Sequence, residues 1–354
     1  MLALAATALL FCAGTVLSFP AAAADHEETS QLIDSVSGER IISTVSELQN
    51  FGSRAFYLNS SQKAAAYIFE RFQDLGLNVE YQNLTASGHQ TSNVIATLEG
   101  SSPGKARYLF GAHYDSFNSL SSNYSGGANT SAPGADDDAS GVAAVIELAS
   151  ELAPLKLKQT VMFVAFGAEE LNPDLTGDGL AGSTAFVKMA TASGLKFEGT
   201  AILDMIGYRT GTQDRCTLIV RPDGNPLVNA TQMAVAEYGL GLELRTISNS
   251  SISFSDHWPF WMADYPSMLV IEEVDQTTYY PANPFYHTSD DRAYHLSESQ
   301  MASMTKALLG AVLSLDAGLL EENASDEVVT GAVIVIVAVA VAVGVMIYFR
   351  ERRA

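Results

Sequence analysis

His113 in GAHYDS, Asp137 in PGADDDASG, Glu169 and Glu170 in FGAEE, Asp204 in LDMIGY and His287 in FYHTSDD each set a metal-binding or base-competent side chain in a short motif. Zinc takes neutral imidazole nitrogen and carboxylate oxygen at about 2.0 to 2.2 Å and, in catalytic sites, keeps a position open for water or substrate. Two His and three carboxylates furnish two such shells if one carboxylate bridges. The charges close as well: two zinc ions bring four positive charges, three ligating carboxylates remove three, and a bridging hydroxide removes the last. A neutral cluster is one a protein can bury. The chemistry expected of the set is metal-assisted hydrolysis at a paired-metal site.

Distant stretches converge only if a fold brings them together. Four of them adjoin strand-like runs, RYLFGAH, TVMFVAFGAEE, TAILDM and, less clearly, NPFYH, which is how an α/β sheet presents ligands at the carboxyl ends of its strands. Apolar positions at three-to-four spacing predict a helix over 26–50 interrupted near Gly38, and a second from about Ser61 to a stop at Gly76. Strands follow in LNVEYQ, SNVIATLEG and RYLFGAH, then a helix in ASGVAAVIELASELAPL, and a central strand buried on both faces in TVMFVAF. Helices near 183–192, 226–238 and 297–315 alternate with strands near 200–205, 216–221, 242–247 and 267–273. This alternation implies an α/β fold, a three-layer sandwich around a mixed, largely parallel central sheet.

The two ends set the context. Residues 1–24 form an apolar run closed by small residues, which reads as a signal peptide cleaved near Ala24, although a basic n-region is lacking; a mis-assigned start or an uncleaved anchor are the alternatives. Residues 328–349, VVTGAVIVIVAVAVAVGVMIYF, carry no charge and are long enough to cross a hydrocarbon core as a transmembrane helix. Arg350, Arg352 and Arg353 follow it while acidic residues precede it, which predicts a type I, single-pass protein with its catalytic domain outside the cell. The divisions expected are a signal peptide over 1–24, a peptidase domain over 25–318, an acidic linker over 319–327, the membrane helix over 328–349 and a cytoplasmic tail over 350–354. Sequons beginning at Asn59, Asn83, Asn123, Asn129, Asn229, Asn249 and Asn323 fit an exported domain. Cys12 falls in the leader, so the mature chain keeps only Cys216 and has no internal disulfide. A net charge of −21 argues against nucleic acid as a partner and fits either a saline habitat or the solubility of an exported protein.

Taken together, GADDDASG, GAEE, DM and HTSDD resemble the co-catalytic zinc aminopeptidases related to bacterial leucyl aminopeptidase, the glutamate carboxypeptidases and the transferrin receptor, with the motifs in the family's order over most of residues 30–316. The resemblance implies the zinc exopeptidase fold and two Zn²⁺ ions as cofactors. It implies Asp137 as the bridging ligand, His113 and Asp204 on one metal, Glu170 and His287 on the other, and Asp115 orienting His113 by a hydrogen bond from behind. Residue chemistry alone does not select the middle aspartate, since Asp138 could equally cap the following helix. Adjacent side chains on extended backbone point to opposite sides, and the resemblance makes Glu169 the general base beside its ligand neighbour. Tyr286 stands where some relatives place a donor to the tetrahedral intermediate; a core aromatic is the equal alternative. His257 reads as pocket or core, and His295 as structural.

The function expected is removal of N-terminal residues from extracellular peptides. The alternatives are a carboxypeptidase or glutaminyl cyclase of the same fold, or a non-catalytic surface receptor. Phe254, Trp258, Phe260, Trp261 and Phe285 form an aromatic set that could line an apolar specificity pocket, although such clusters are more often core than pocket. Oligomeric state has no signature in the chain.

Overall fold

Eight strands join in one sheet in a computed structural model that describes residues 21–102, 107–117, 131–170, 179–222 and 224–317. The candidate membrane span, the linker, the tail and all but residues 21–24 of the candidate leader lie outside the described residues. Among the described residues no helix is long and apolar enough to cross a membrane.

The N-terminal helix is split into α1 (Ala21–Ser35) and α2 (Gly38–Asn50). The break falls at Val36–Ser37, and Gly38 opens α2 because the Ser37 hydroxyl caps it, accepting from the Arg40 N–H at 3.2 Å. After α3 (Asn59–Asp74), the strands β1 (Asn78–Ala86) and β2 (His89–Leu98) form a hairpin. Its two turn residues, Ser87 and Gly88, have φ of 47° and 84°, the positive values that match a tight turn to the twist of the strands.

Next come β3 (Arg107–His113), α4 (Gly141–Leu152), β4 (Thr160–Phe166), α5 (Ala181–Ala192), β5 (Gly199–Leu203) and β6 (Arg215–Val220). The chain continues through α6 (Pro226–Glu237), β7 (Glu243–Ser248), α7 (His257–Met262), β8 (Ser267–Ile271) and α8 (298–317). The sheet order is β1-β2-β4-β3-β5-β8-β6-β7. The central run β4-β3-β5-β8 is parallel, as is β6 with β7, while β1-β2, β2-β4 and β8-β6 are antiparallel. The expected mixed, largely parallel three-layer sandwich is what forms.

Side-chain alternation assigns the two faces. Val161, Phe163 and Ala165 of β4 enter the core beneath α2, α3, α4, α6 and α8, whereas Met162, Val164 and Phe166 enter the opposite core beneath α5 and α7. Burying each such large apolar side chain is worth about 1.5–3 kcal/mol, so a charge-free β4 is explained by burial on both sides. Free Cys216 is buried in the first core.

Candidate metal centre

Four parallel strands end on one edge of the sheet, and the candidate ligands cluster there. His113 closes β3, Glu169 and Glu170 sit in the turn after β4, and Asp204 follows β5 directly. Asp137 comes from the turn before α4 and His287 from the long connection after β8. In catalytic zinc sites bonds of about 2.1 Å in tetrahedral array set ligand atoms about 3.4 Å apart. His113 Nε2 lies 3.1 Å from Asp137 Oδ1 and 3.7 Å from Asp204 Oδ1; His287 Nε2 lies 3.1 Å from Asp137 Oδ2 and 3.2 Å from Glu170 Oε1. Two triads therefore meet at Asp137, which turns one oxygen to each imidazole. A third grouping, His113 with Glu169 and Glu170, draws on both triads. The buried Asp137 Oδ2 has no well-directed hydrogen bond, and a cation in each triad would satisfy the carboxylate. The donor set fits two zinc ions.

Main-chain amides hold this arrangement. Gly134 has φ of 55°, and a Cβ there would run into the Asp137 carbonyl, the Ser116 side chain and the Arg54 guanidinium, so only glycine makes the turn that delivers Asp137. The Asp137–Asp138 peptide is cis. The Asp291 carboxylate accepts from the N–H groups of Asp136 (2.8 Å) and Asp137 (3.1 Å). Asp138 Oδ2 accepts from the His113 N–H at 3.2 Å, while its Oδ1 accepts from Gly141 at the start of α4 (2.9 Å) and from Met205 (3.2 Å). Asp136 takes the N–H of Gly207 and the side-chain amide of Asn283. The run of three aspartates thus has one carboxylate facing the imidazoles and two acting as struts.

Asp115 stands 3.6 Å from His113 Nδ1, beyond hydrogen-bond length. Its carboxylate instead accepts from the amides of Glu169 (3.1 Å) and Glu170 (3.2 Å), so it holds the acidic turn as well as backing the imidazole. Asn93 braces the same turn, accepting from the Gly167 N–H and donating to the Gly182 carbonyl.

Burial would lower the His287 imidazole, but Glu170 and Asp137 beside it lift it to about 10, and His113 is likewise held well above its ordinary value against burial by Glu169, Asp115 and Asp137. Burial works against ionisation of Asp137, yet the two imidazoles hold it well below the usual carboxylate range. Burial pushes Glu170 up to about 7 against the pull of His287. Glu169 is pushed well above its ordinary value by burial, opposed by His113 and aided by Glu170 and Asp256.

The cluster forms the floor of a cavity of about 490 Å³ into which Glu169, Glu170 and Tyr286 all open. Burial, with Asp137 and Glu170 nearby, raises the Tyr286 phenol well above its usual range, so it stays a donor; its ring stacks on His287 at 3.8 Å. The cavity walls are Leu180, Met205, Phe254, Ile271, Tyr279 and Tyr280. Of the five aromatic residues for which pocket and core are the alternatives, only Phe254 lines the cavity. Phe260 and Trp261 lie on the inner face of α7 in the core, Trp258 sits outside the cavity beside α5, and Phe285 stacks on His295. His257 is buried and pushed down to about 4 by burial, with Nε2 3.0 Å from the Ile252 carbonyl, so it is a neutral core residue. His295 faces Asp290 at 3.3 Å, away from the cluster.

A sequence profile of peptidase family M28 matches residues 93–312. Leucine aminopeptidase 1 of Fusarium vanettenii is 26% identical over 321 residues, covering 84% of this chain and 75% of that protein. A probable zinc metalloprotease of Pyrenophora teres f. teres is 29% identical over 241 residues, covering 61% of this chain and 49% of its own, so the chain spans about half the length of that relative. Among solved structures, the LapA aminopeptidase of Legionella pneumophila superposes with a TM-score of 0.67 at 19% identity over 82% of this chain and 75% of LapA. A glutaminyl cyclase of Bacteroides thetaiotaomicron superposes with a TM-score of 0.64 at 19% identity, over 78% of this chain and 98% of the cyclase. Such structural likenesses establish the shared fold.

Proposed function

The chain belongs to peptidase family M28 and is a metal-dependent hydrolase by that membership, and on this premise we propose that it removes N-terminal residues from extracellular peptides at a two-zinc centre. The observation that carries the reading is the pair of triads meeting at the two oxygens of Asp137. His113, Asp204 and Asp137 would hold one ion, and Glu170, His287 and Asp137 the other. When bound, such ions polarise the scissile carbonyl and make water acidic enough to attack it near neutral pH.

The side chains of the cavity do the rest. Glu169, whose main-chain N–H donates a hydrogen bond to the Asp115 carboxylate, takes the proton of the attacking water and passes it to the leaving amine. Tyr286, kept protonated, donates to the oxyanion that develops on the carbonyl, a contribution of about 2.7–4 kcal/mol by analogy with other oxyanion donors. The apolar walls at Met205, Phe254, Ile271 and Tyr280 favour a bulky apolar first residue. Export and tethering by residues 328–349 would present the cavity to peptides outside the cell.

One experiment separates the readings: the purified protein, loaded with zinc, is given a peptide free at its N-terminus, the same peptide acetylated there, and a peptide beginning with Gln. Release of the first residue from the free peptide alone is the expected result. Shortening of the acetylated peptide from its other end marks a carboxypeptidase, and loss of ammonia from the Gln peptide without cleavage marks a cyclase. Absence of bound zinc together with inertness toward all three marks a receptor.

A further inference from the structure

Arg54 lies in the connection between α2 and α3, outside the stretch matched by the family profile, and its side chain is fully buried. Among the described residues it is the only buried arginine or lysine. Its Nε donates to the carbonyl of Tyr114 at 2.8 Å, Nη1 to those of Pro133 (2.5 Å) and Leu48 (3.3 Å), and Nη2 to that of Gly134 (2.7 Å). Four of the five guanidinium donors are thus engaged. The Arg54 N–H donates to Ser116 Oγ (2.9 Å), and that hydroxyl donates to the Ala132 carbonyl (2.8 Å).

Tyr114 follows His113 directly, and Gly134 opens the turn that carries Asp137. One planar fork therefore grips the main chain of both segments that must approach each other to place an imidazole nitrogen 3.1 Å from the shared carboxylate. A buried guanidinium is costly unless its charge is balanced and its donors are satisfied. Burial works against the charge here, while Asp291, Asp115, Asp137 and Asp138 sustain it.

We propose that Arg54 is the positioning residue of the metal centre: it fixes the separation of His113 and Asp137 by cross-linking their turns, and so sets the affinity for the ions the two residues hold. The proposal rests on the two-zinc reading above. Lysine at this position keeps a positive charge but has no fork able to reach carbonyls on separate turns.

The test compares the wild-type protein with Arg54→Lys by chelator-competition titration of zinc, by the visible spectrum of the cobalt(II)-loaded protein and by thermal unfolding of the metal-free form. Zinc affinity is expected to fall about 10- to 100-fold, as for other residues that orient metal ligands from behind, with altered cobalt bands even where the metal-free protein unfolds cooperatively near the wild-type temperature. Wild-type zinc affinity and an unchanged cobalt spectrum in the folded variant overturn the proposal. Should Arg54→Lys fail to fold, Arg54→Gln, which lacks the fork that reaches Tyr114 and Gly134 together, is measured in the same way: weakened zinc binding by the folded protein supports the cross-link, and undiminished binding refutes it. A wild-type protein that binds no zinc would instead remove the two-zinc reading, and this proposal with it.

Discussion

Loading the metal-free protein with zinc should expel protons, and the number follows from the site. Zinc takes neutral imidazole, whereas the cluster holds His287 at a pKa of about 10 and His113 well above its ordinary value. At about pH 7 both imidazoles are then protonated, and Glu170, raised to about 7, carries about half a proton. Each chain should therefore release at least two protons as two ions enter. Displacing the His287 proton alone costs about 3 kcal/mol at about pH 7.5. The sign is fixed: protons compete with metal, so affinity rises with pH while the imidazoles remain protonated in the metal-free form. The slope for two protons is about 100-fold per pH unit. Isothermal titration calorimetry in buffers of different ionisation enthalpy counts the protons directly, and His287→Ala should lower the count by about one. Release of less than one proton per chain near neutral pH would show that the imidazoles are already neutral and that the carboxylates do not act on them as argued.

Three further outcomes follow from named contacts. Glu169→Gln should lower kcat by about 10² to 10⁴ with zinc content unchanged by elemental analysis; retained activity would remove Glu169 as the base. Gly134→Ala forces a side chain into φ of 55° and against the Asp137 carbonyl, so denaturant unfolding should show a loss above the roughly 1–2 kcal/mol of the backbone conformation alone; a smaller loss would mean the turn yields freely. Trp261→Ala should cost about 3–5 kcal/mol, seen as a fall in Tm, whereas Phe254→Ala should leave Tm unchanged and raise KM for peptides with bulky apolar first residues. The reverse pattern would return Trp261 to the pocket.

The central strands are readable because they carry their burial in their own residues: β4 is apolar on both faces, and His113 and Asp204 stand at the ends of the apolar runs of β3 and β5, whereas NPFYH forms a turn and not a strand, so His287 reaches the cluster from a loop. The struts were hidden for the opposite reason. Asp291 meets Asp136 and Asp137 across 155 and 154 residues, and Arg54 meets Gly134 across 80, contacts that leave no periodic trace in either partner. GAHYDS marks Asp115 as the partner of His113, but a local motif does not reveal that its oxygens face the amides of a turn 54 and 55 residues away. The aromatic run at 258–261 failed as a pocket because α7 turns Phe260 and Trp261 inward, and a helix so short has too few residues to display its face in sequence.

Asp138 accepts hydrogen bonds from the main-chain N–H groups of His113, Gly141 and Met205. A frame written on the main chain does not register what those residues carry beyond Cα. Met205 also lines the cavity and packs in the core beneath α5 and α7, so a change in its side chain reshapes the cavity wall and its packing while the N–H that meets Asp138 is common to every residue but proline. A single residue thus serves the cavity wall with its side chain and the frame of the candidate ligands with its N–H.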